Sequence, residues 1–121
     1  MELQKLNSEF TICKIDNIEQ VDFSREFVFL SKTDDEISLV CESAYAPSYI
    51  EVSKIIWRGL KISGKLDFEM IGIIAKITNI LAKADISVFV VSTYNTDYFF
   101  LNAENFDAGV AILADNGYTF S

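Results

Sequence analysis

The stretch GIIAKITNILAKADISVFVVSTYNTDYFFL, Gly72 to Leu101, changes its pattern of apolar residues partway along. Its first part repeats apolar residues every three or four positions, which is typical of an amphipathic helix. Asp67 just upstream can cap that helix, so we predict a helix from Asp67 to about Ala84. Two apolar runs then follow, and they predict strands over Ile86 to Val91 and Tyr98 to Leu101.

Gly72 falls inside this predicted helix, on its polar face. A glycine in a helix interior costs about 1 kcal/mol relative to alanine. Two explanations are equally favoured by the pattern: simple tolerance, or the close approach of a partner or ligand to the first turns.

The elements on either side of this stretch complete a recognisable order. A strand is predicted before it over Ile55 to Ser63, and a second helix after it over Asn105 to Asn116, with Gly117 as the C′ residue. The sequence YTF then predicts a last short strand. Strand, helix, strand, strand, helix, strand is the ferredoxin-like βαββαβ order, so we expect an α+β fold.

The N-terminal half is compatible with the same order if its helices are short. FTICKI, FVFL and ISLVC predict strands, DNIEQVDFSREF could hold a short helix, and APSYIEVSK could form one or two helical turns. A faint internal match lays Ser31–Val40 over Ser92–Leu101. We therefore predict two packed units of one fold, residues 1–54 and residues 55–121.

The charge and composition of the chain limit the classes of partner that it can bind. The chain has 121 residues, half of them hydrophobic, and a formal charge of −8. A negative field repels phosphate, so we expect no nucleic acid and no anionic membrane as partner. Lys76, Lys83 and Asp85 interrupt the most apolar region, and the N-terminus lacks a signal-like apolar core. We expect a cytoplasmic protein.

The residue types for catalysis and metal binding are sparse. There is no histidine, and Cys13 and Cys41 lie in apolar runs that favour reduced core thiols. The acidic run Asp34 to Glu36 lacks the central glycine of a calcium loop and favours a solvated hairpin. An acylphosphatase-like enzyme would need an arginine in a glycine-rich anion loop, and neither Arg25 nor Arg58 lies in one. We expect no metal, no cofactor and no catalysis.

Two segments could form a binding site. STYNTDYFF, Ser92 to Phe100, contains neither glycine nor proline, which argues against a minimal hairpin turn. SGKLDF, Ser63 to Phe68, joins a strand to a helix start, where free N–H groups can hold a carboxylate. An ordinary strand-to-helix connection explains Gly64 and Asp67 equally well.

The combination SGKLDFEMIGIIAKITNILAKADISVFVVSTYNTDY resembles the ACT family of small-molecule regulatory domains. More narrowly, it resembles the CASTOR-type ACT proteins and their small bacterial relatives. That resemblance implies a tandem pair of ACT units with an amino acid bound at the interface between units. The ligand-binding residues that it implies are Gly64, Asp67, Phe68, Ile71, Gly72, Thr93, Tyr94, Asn95 and Asp97.

The resemblance implies a non-catalytic sensor or regulatory protein whose partner is a small molecule, an amino acid. CASTOR-type proteins of animals hold four units and this chain two, so a comparable interface implies a homodimer. Those proteins sense arginine, but Ala75 offers no counter-charge for a basic ligand. The ligand is therefore left open. The alternative is a ligand-free dimerisation or assembly module of the same fold.

Overall fold

A computed structural model gives the fold and describes residues 1–63 and 71–121. The chain forms two compact units. The N-terminal unit is Ser8–Trp57, and the C-terminal unit combines Met1–Asn7 with Arg58–Ser121. The first seven residues thus group with the second half of the chain, whereas the expected division placed them in residues 1–54. That each unit is an ACT repeat stays a prediction.

The N-terminal unit is a small antiparallel sheet. Its elements in chain order are the later part of β1 (Glu2–Ile15), a 3-10 turn (Ile18–Gln20), β2 (Val28–Lys32), β3 (Ile37–Glu42), a second 3-10 turn (Ser43–Tyr45) and β4 (Glu51–Val52). The strands lie side by side in the order β4–β1–β3–β2, and all three pairings are antiparallel. The element order is that of βαββαβ, with 3-10 turns in place of the two helices.

The first predicted short helix is present as the turn Ile18–Gln20, capped by the side chain of Asn17. The helical turns predicted around Pro47 are wrong, because Glu51–Val52 pairs with β1 as a strand. The backbone N–H of Ile50 donates to Lys14 O at 2.8 Å, and that of Ser53 donates to Ile12 O at 3.0 Å. Pairing with a neighbouring strand here outweighs the weak local preference for a helix.

The C-terminal unit has the predicted order of strands and helices. It contains β5 (Trp57–Ile62), whose first residue falls in the N-terminal unit, followed by α1 (Ile73–Lys83), β6 (Val88–Ser92), β7 (Asp97–Asn102), a 3-10 turn (Ala103–Asn105), α2 (Phe106–Asp115) and β8 (Thr119–Phe120). Its strands lie in the order β8–β1–β5–β7–β6, so the start of β1 is inserted between the last strand and the first. The pairing of β1 with β8 is parallel, and that of β6 with β7 is antiparallel. The ferredoxin-like α+β fold is confirmed.

Each unit has its own apolar core. In the C-terminal unit the helices cover one face of the strands, with these residues buried together: Leu3, Leu60, Ile62, Ile77, Leu81, Ile86, Phe99, Leu101, Phe106 and Leu113. In the N-terminal unit one buried cluster consists of Cys13, Ile15, Leu39 and Cys41, and Phe10 and Val40 are also buried. The core of the C-terminal unit is the one that the helical pattern of the sequence predicts.

Helix α1 begins later than predicted. Its first residue is Ile73, and Gly72 before it has φ +77°, in the left-handed region. Gly72 therefore lies at the N-cap position and not inside the helix, so the prediction of a glycine within the helix is wrong. The expected cap Asp67 lies outside the described residues. A left-handed residue cannot continue a right-handed helix, which explains the start at Ile73.

Three consecutive elements of the N-terminal unit recur in the C-terminal unit at an offset of 60 residues. Val28–Lys32 recurs as Val88–Ser92, Ile37–Glu42 as Asp97–Asn102, and the 3-10 turn Ser43–Tyr45 as Ala103–Asn105. The internal match predicted from the sequence paired Ser31 with Ser92 and is therefore wrong by one residue. In the corrected alignment, Ile37 of the N-terminal unit corresponds to Asp97 of the C-terminal unit.

Candidate functional site

The β6–β7 hairpin carries four of the predicted ligand-binding residues. Its connection has four residues, Thr93 to Thr96, between paired Ser92 and Asp97. The backbone N–H of Thr93 donates to Thr96 O at 2.8 Å, and the Thr93 hydroxyl donates to the same oxygen at 3.0 Å. The threonine side chain thus closes the turn without a glycine, as a hydroxyl in a turn can.

The residues at the tip of the hairpin are exposed, whereas those where the connection enters β7 are buried. Tyr94 is 77% exposed and Asn95 is also exposed, whereas Thr96 and Asp97 are only 3% and 6% exposed. Sequence analysis missed the burial of Thr96 altogether, because a threonine in a polar stretch gives no apolar signal. The hairpin therefore offers one accessible aromatic ring beside one buried carboxylate.

Asp97 is the first residue of β7 and lies on the face of that strand that meets the helices. Side chains alternate along a strand, so Asp97 shares a face with Phe99 and Leu101, both in the core of the C-terminal unit. Within the described parts of the chain, no group donates a hydrogen bond to the Asp97 carboxylate. A carboxylate in such a place is stabilised by a counter-charge or a donor.

Thr96 ties the hairpin to the end of β5. Its hydroxyl donates to the carbonyl oxygen of Ile62, the last residue of that strand, at 3.2 Å. The chain leaves β5 here toward Gly64, Asp67 and Phe68, which lie outside the described residues. The hairpin and the departure point of the strand-to-helix connection therefore occupy the same end of the C-terminal unit.

Ile71 and Gly72 precede α1 directly. Ile71 is 96% exposed, and a Cβ added to Gly72 would meet nothing within 4 Å. Gly72 lines a shallow hollow along α1 whose far edge is Val88, and of the described residues around it none belongs to Thr93–Asp97. The structure thus brings Thr93, Tyr94, Asn95 and Asp97 together in one hairpin and places Ile71 and Gly72 at the helix start.

A second concave surface of this unit was not predicted. A cavity of about 530 Å³ lies between α1 and the residues that follow α2, lined by Met1, Ile73, Lys76, Asn79, Ile80, Lys83, Asn116, Gly117 and Tyr118. Its charged side chains, Lys76 and Lys83, are exposed. Exposed lysines are well solvated, so they mark a specific ligand less strongly than a buried charge does.

Metal and nucleophile chemistry find little support in the described residues. No group of three or more His, Cys, Asp or Glu side chains there could hold a metal ion. Cys13 and Cys41 are free and buried, and burial raises the pKa of both thiols, that of Cys41 to about 11. A thiol with a raised pKa is a poor nucleophile at neutral pH. Within the described parts, no helix is long and apolar enough to cross a bilayer.

The ACT domain model matches residues 52–115, which is more than half of the chain. The chain therefore belongs to the ACT domain family, whose members are regulatory domains that bind small molecules such as amino acids. The match covers the whole of α1, the β6–β7 hairpin and α2.

Among characterised proteins, the chain is similar to the cytosolic arginine sensor for mTORC1 subunit 1. The human, Bos taurus and Pongo abelii proteins are each 36% identical over 59 residues. The aligned region is 48% of this chain but only 18% of the sensor. The likeness is thus to one part of a larger protein.

Solved structures resemble the chain over nearly its full length. Atu0741 of Agrobacterium tumefaciens has a TM-score of 0.85 at 26% identity, covering 99% of this chain and 91% of its own. VC0802 of Vibrio cholerae, described as a possible transport protein, has a TM-score of 0.76 at 18% identity, covering 94% and 88%. An aspartokinase structure with alpha and beta subunits reaches 0.65 at 10% identity, covering 95% and 96%. The last two similarities concern the fold alone.

Proposed function

We propose that this chain is a non-catalytic regulatory protein that binds an amino acid at the β6–β7 hairpin. The ligand lies at an interface between ACT units, which a homodimer of the two-unit chain completes. The observation that carries this proposal is Asp97, an acidic residue that is only 6% exposed and lies next to a connection whose Tyr94 is 77% exposed.

The repeat within the chain supports a functional role for Asp97. The offset of 60 residues places Ile37 at the same position of the β2–β3 hairpin. That hairpin closes with the same backbone bond, from Thr33 N–H to Glu36 O at 2.9 Å. This hairpin geometry therefore forms with an apolar side chain at its end and does not require a carboxylate. The acid in the C-terminal unit calls for another explanation, and a ligand supplies one.

The charge of the site indicates which part of the ligand meets Asp97. A buried carboxylate is stabilised most by a charged donor, and an ammonium group gives short, strong hydrogen bonds to it. The ligand carboxylate would then meet backbone N–H groups in the connection that includes Gly64, Asp67 and Phe68, as predicted from the sequence. Amino acid sensing by the arginine sensor supports this class of ligand, although Ala75 gives no counter-charge for a basic side chain.

Regulation follows if the ligand binds two arrangements of the subunits unequally. Ligand binding then shifts the population toward the arrangement that binds it better. The tandem organisation is supported by the three elements that recur at an offset of 60 residues.

One observation favours a second function, a ligand-free assembly module. Ile71 and Tyr94, both among the predicted site residues, are 96% and 77% exposed. Side chains of this size gain stability when a second copy covers them. An assembly role would therefore use the same residues for contact between copies and not for a small molecule.

The experiment is a thermal-shift screen of the folded chain against the common amino acids, with solution mass measured in each case. We expect at least one amino acid to raise the melting temperature progressively with concentration, as mass action requires. Asp97→Asn should abolish that rise, while Asp107→Asn, which neutralises an exposed carboxylate on α2, should leave it unchanged.

A different result would point to the assembly module. If no amino acid raises the melting temperature and the mass is already that of a dimer, the small-molecule proposal fails. In that case Tyr94→Ala and Ile71→Ala should convert the dimer to a monomer.

A further inference from the structure

The N-terminal unit contains a cavity of its own. It measures about 240 Å³ and is lined by Ser24, Arg25, Glu26, Glu42 and Tyr45. This volume is below the range of about 300–1,000 Å³ typical of pockets for drug-sized ligands. The cavity therefore suits a small metabolite.

Arg25 forms the cationic side of this cavity and has donor capacity to spare. Its guanidinium lies over the ring of Tyr45, 4.0 Å from the centroid, which fixes its position. The Arg25 Nε is buried and has no hydrogen-bond acceptor among the described residues. The nearest carboxylate oxygen, from Asp22, is 3.9 Å away, which is beyond hydrogen-bonding distance. A ligand cannot reach the buried Nε, but a ligand carboxylate in the cavity can accept hydrogen bonds from the terminal nitrogens of the Arg25 guanidinium.

Glu42 and Glu26 form the anionic side. Glu42 accepts a hydrogen bond of 2.6 Å from the hydroxyl of Ser8, which orients its carboxylate. Two carboxylates and one guanidinium line the cavity, so a simple anion would be repelled by the acids. A ligand that carries its own cation matches both sides.

The repeat shows that these charges are not demanded by the fold. Sixty residues further on, Glu42 and Tyr45 correspond to Asn102 and Asn105. The C-terminal unit builds the equivalent strand and 3-10 turn without a glutamate or an aromatic ring at those places. This part of the cavity lining is specific to the N-terminal unit.

We propose that this cavity binds a small zwitterion of the α-amino acid class, with its carboxylate on Arg25 and its ammonium group on Glu42. The site lies within the N-terminal unit and is distinct from the β6–β7 hairpin. It does not depend on the function proposed for Asp97, so each proposal is tested separately.

The test is a ¹H–¹⁵N NMR titration of the full chain carrying Asp97→Asn, using each common amino acid at millimolar concentration. We expect at least one of them to shift the amide signals of residues 24–26 and 42–45 in a saturable way. We expect L-alanine to be among the amino acids that bind, and it is compared with propionate and ethylamine, which lack its ammonium group and its carboxylate respectively. Both single-charge probes should bind at least about tenfold more weakly, the value of one charged hydrogen bond.

Variants then assign the binding to Arg25. Arg25→Gln should weaken binding about tenfold or more. Arg58→Gln is the matched control, because Arg58 also stacks on an aromatic ring, 4.3 Å from the centroid of Phe106, but lies in the other unit. It should leave the shifts unchanged. The proposal is overturned if no amino acid shifts these amides, if propionate binds as tightly as L-alanine, or if folded Arg25→Gln binds as the parent does.

Discussion

The hydroxyl of Thr96 donates to the carbonyl oxygen of Ile62 across 34 residues of sequence, at 3.2 Å and in a buried position. Through this contact the end of β5 and the β6–β7 hairpin meet at one end of the C-terminal unit. The β6–β7 hairpin, which belongs to the predicted segment STYNTDYFF, therefore lies beside the residue at which β5 ends. The contact also holds the residue before Asp97 in place.

Thr96→Val tests this contact directly. Valine keeps the shape of threonine but removes the donor, so the carbonyl of Ile62 loses a buried hydrogen bond. We expect the free energy of unfolding to fall by about 1–2 kcal/mol, measured by urea denaturation. Thr78→Val serves as control, since the Thr78 hydroxyl donates only within its own helix, to Ile74 O at 2.8 Å, and should change stability far less. Equal losses in both variants would contradict a special role for the Thr96 contact.

The elements with strong periodicity were predictable, and those that depend on distant partners were not. The apolar residues of α1 recur at helical spacing, and Ile77 and Leu81 are buried as that spacing requires. By contrast, only Phe10–Ile15 of β1 was predicted as a strand, although β1 extends from Glu2. Its first residues pair with β8, which lies more than 100 residues away along the chain, so local pattern gave little sign of it.

The hairpin of the candidate site was predictable to a similar extent, whereas the ligand-binding role of its residues stays a prediction. Thr93, Tyr94 and Asp97 stand out because polar residues interrupt two apolar runs, and the structure brings them into one hairpin. The burial of Asp97 and Thr96 could not be predicted, because it arises from contacts with β5 and the core rather than from neighbours in sequence. The left-handed φ of Gly72 could not be predicted either, because a glycine is compatible with both a helix interior and an N-cap.

The substitution Gly72→Ala distinguishes the predicted start of α1 from the observed one, because the two starts predict stability changes of opposite sign. If Gly72 were inside a helix, alanine would stabilise the protein by about 1 kcal/mol. Because φ is +77°, we expect destabilisation instead, by about 1–2 kcal/mol. The added Cβ meets no atom within 4 Å, so the change reports backbone conformation alone. Gly72→Asn should cost less than Gly72→Ala, since asparagine tolerates this region better; chemical denaturation measures both.

Gly109→Ala tests how closely α2 packs on the sheet. A Cβ at Gly109 would lie 2.5 Å from Cδ2 of the buried Leu101. We expect overpacking to outweigh the better helix propensity of alanine, with a net loss of about 1–3 kcal/mol. In a Leu101→Ala background the same substitution should cost much less, because the opposing side chain is gone. Additive losses in that double-mutant cycle would exclude the contact as the cause.

From the raised pKa of the buried Cys41 thiol we predict how the free energy of unfolding changes at alkaline pH. Burial raises the pKa of Cys41 from 9.0 to about 11, with smaller contributions from Cys13 and Glu42. As pH rises past 9.0 the unfolded chain loses the Cys41 proton while the folded chain keeps it, so protons are released on unfolding. The free energy of unfolding must therefore fall as pH rises from about 9 through about 11, and the contribution of Cys41 is complete below that window.

Denaturation of the reduced protein at several pH values between 8 and 10.5 measures this slope, and Cys41→Ala isolates the part due to Cys41. The variant loses some stability at every pH because it leaves a small cavity, but its stability should fall less steeply with pH. Cys13 and Tyr118, whose pKa values burial also raises, are present in both proteins, so the difference between the two slopes reports the loss of Cys41. Identical slopes would contradict the prediction, because they would mean that the Cys41 thiol ionises in the folded chain as readily as in the unfolded one.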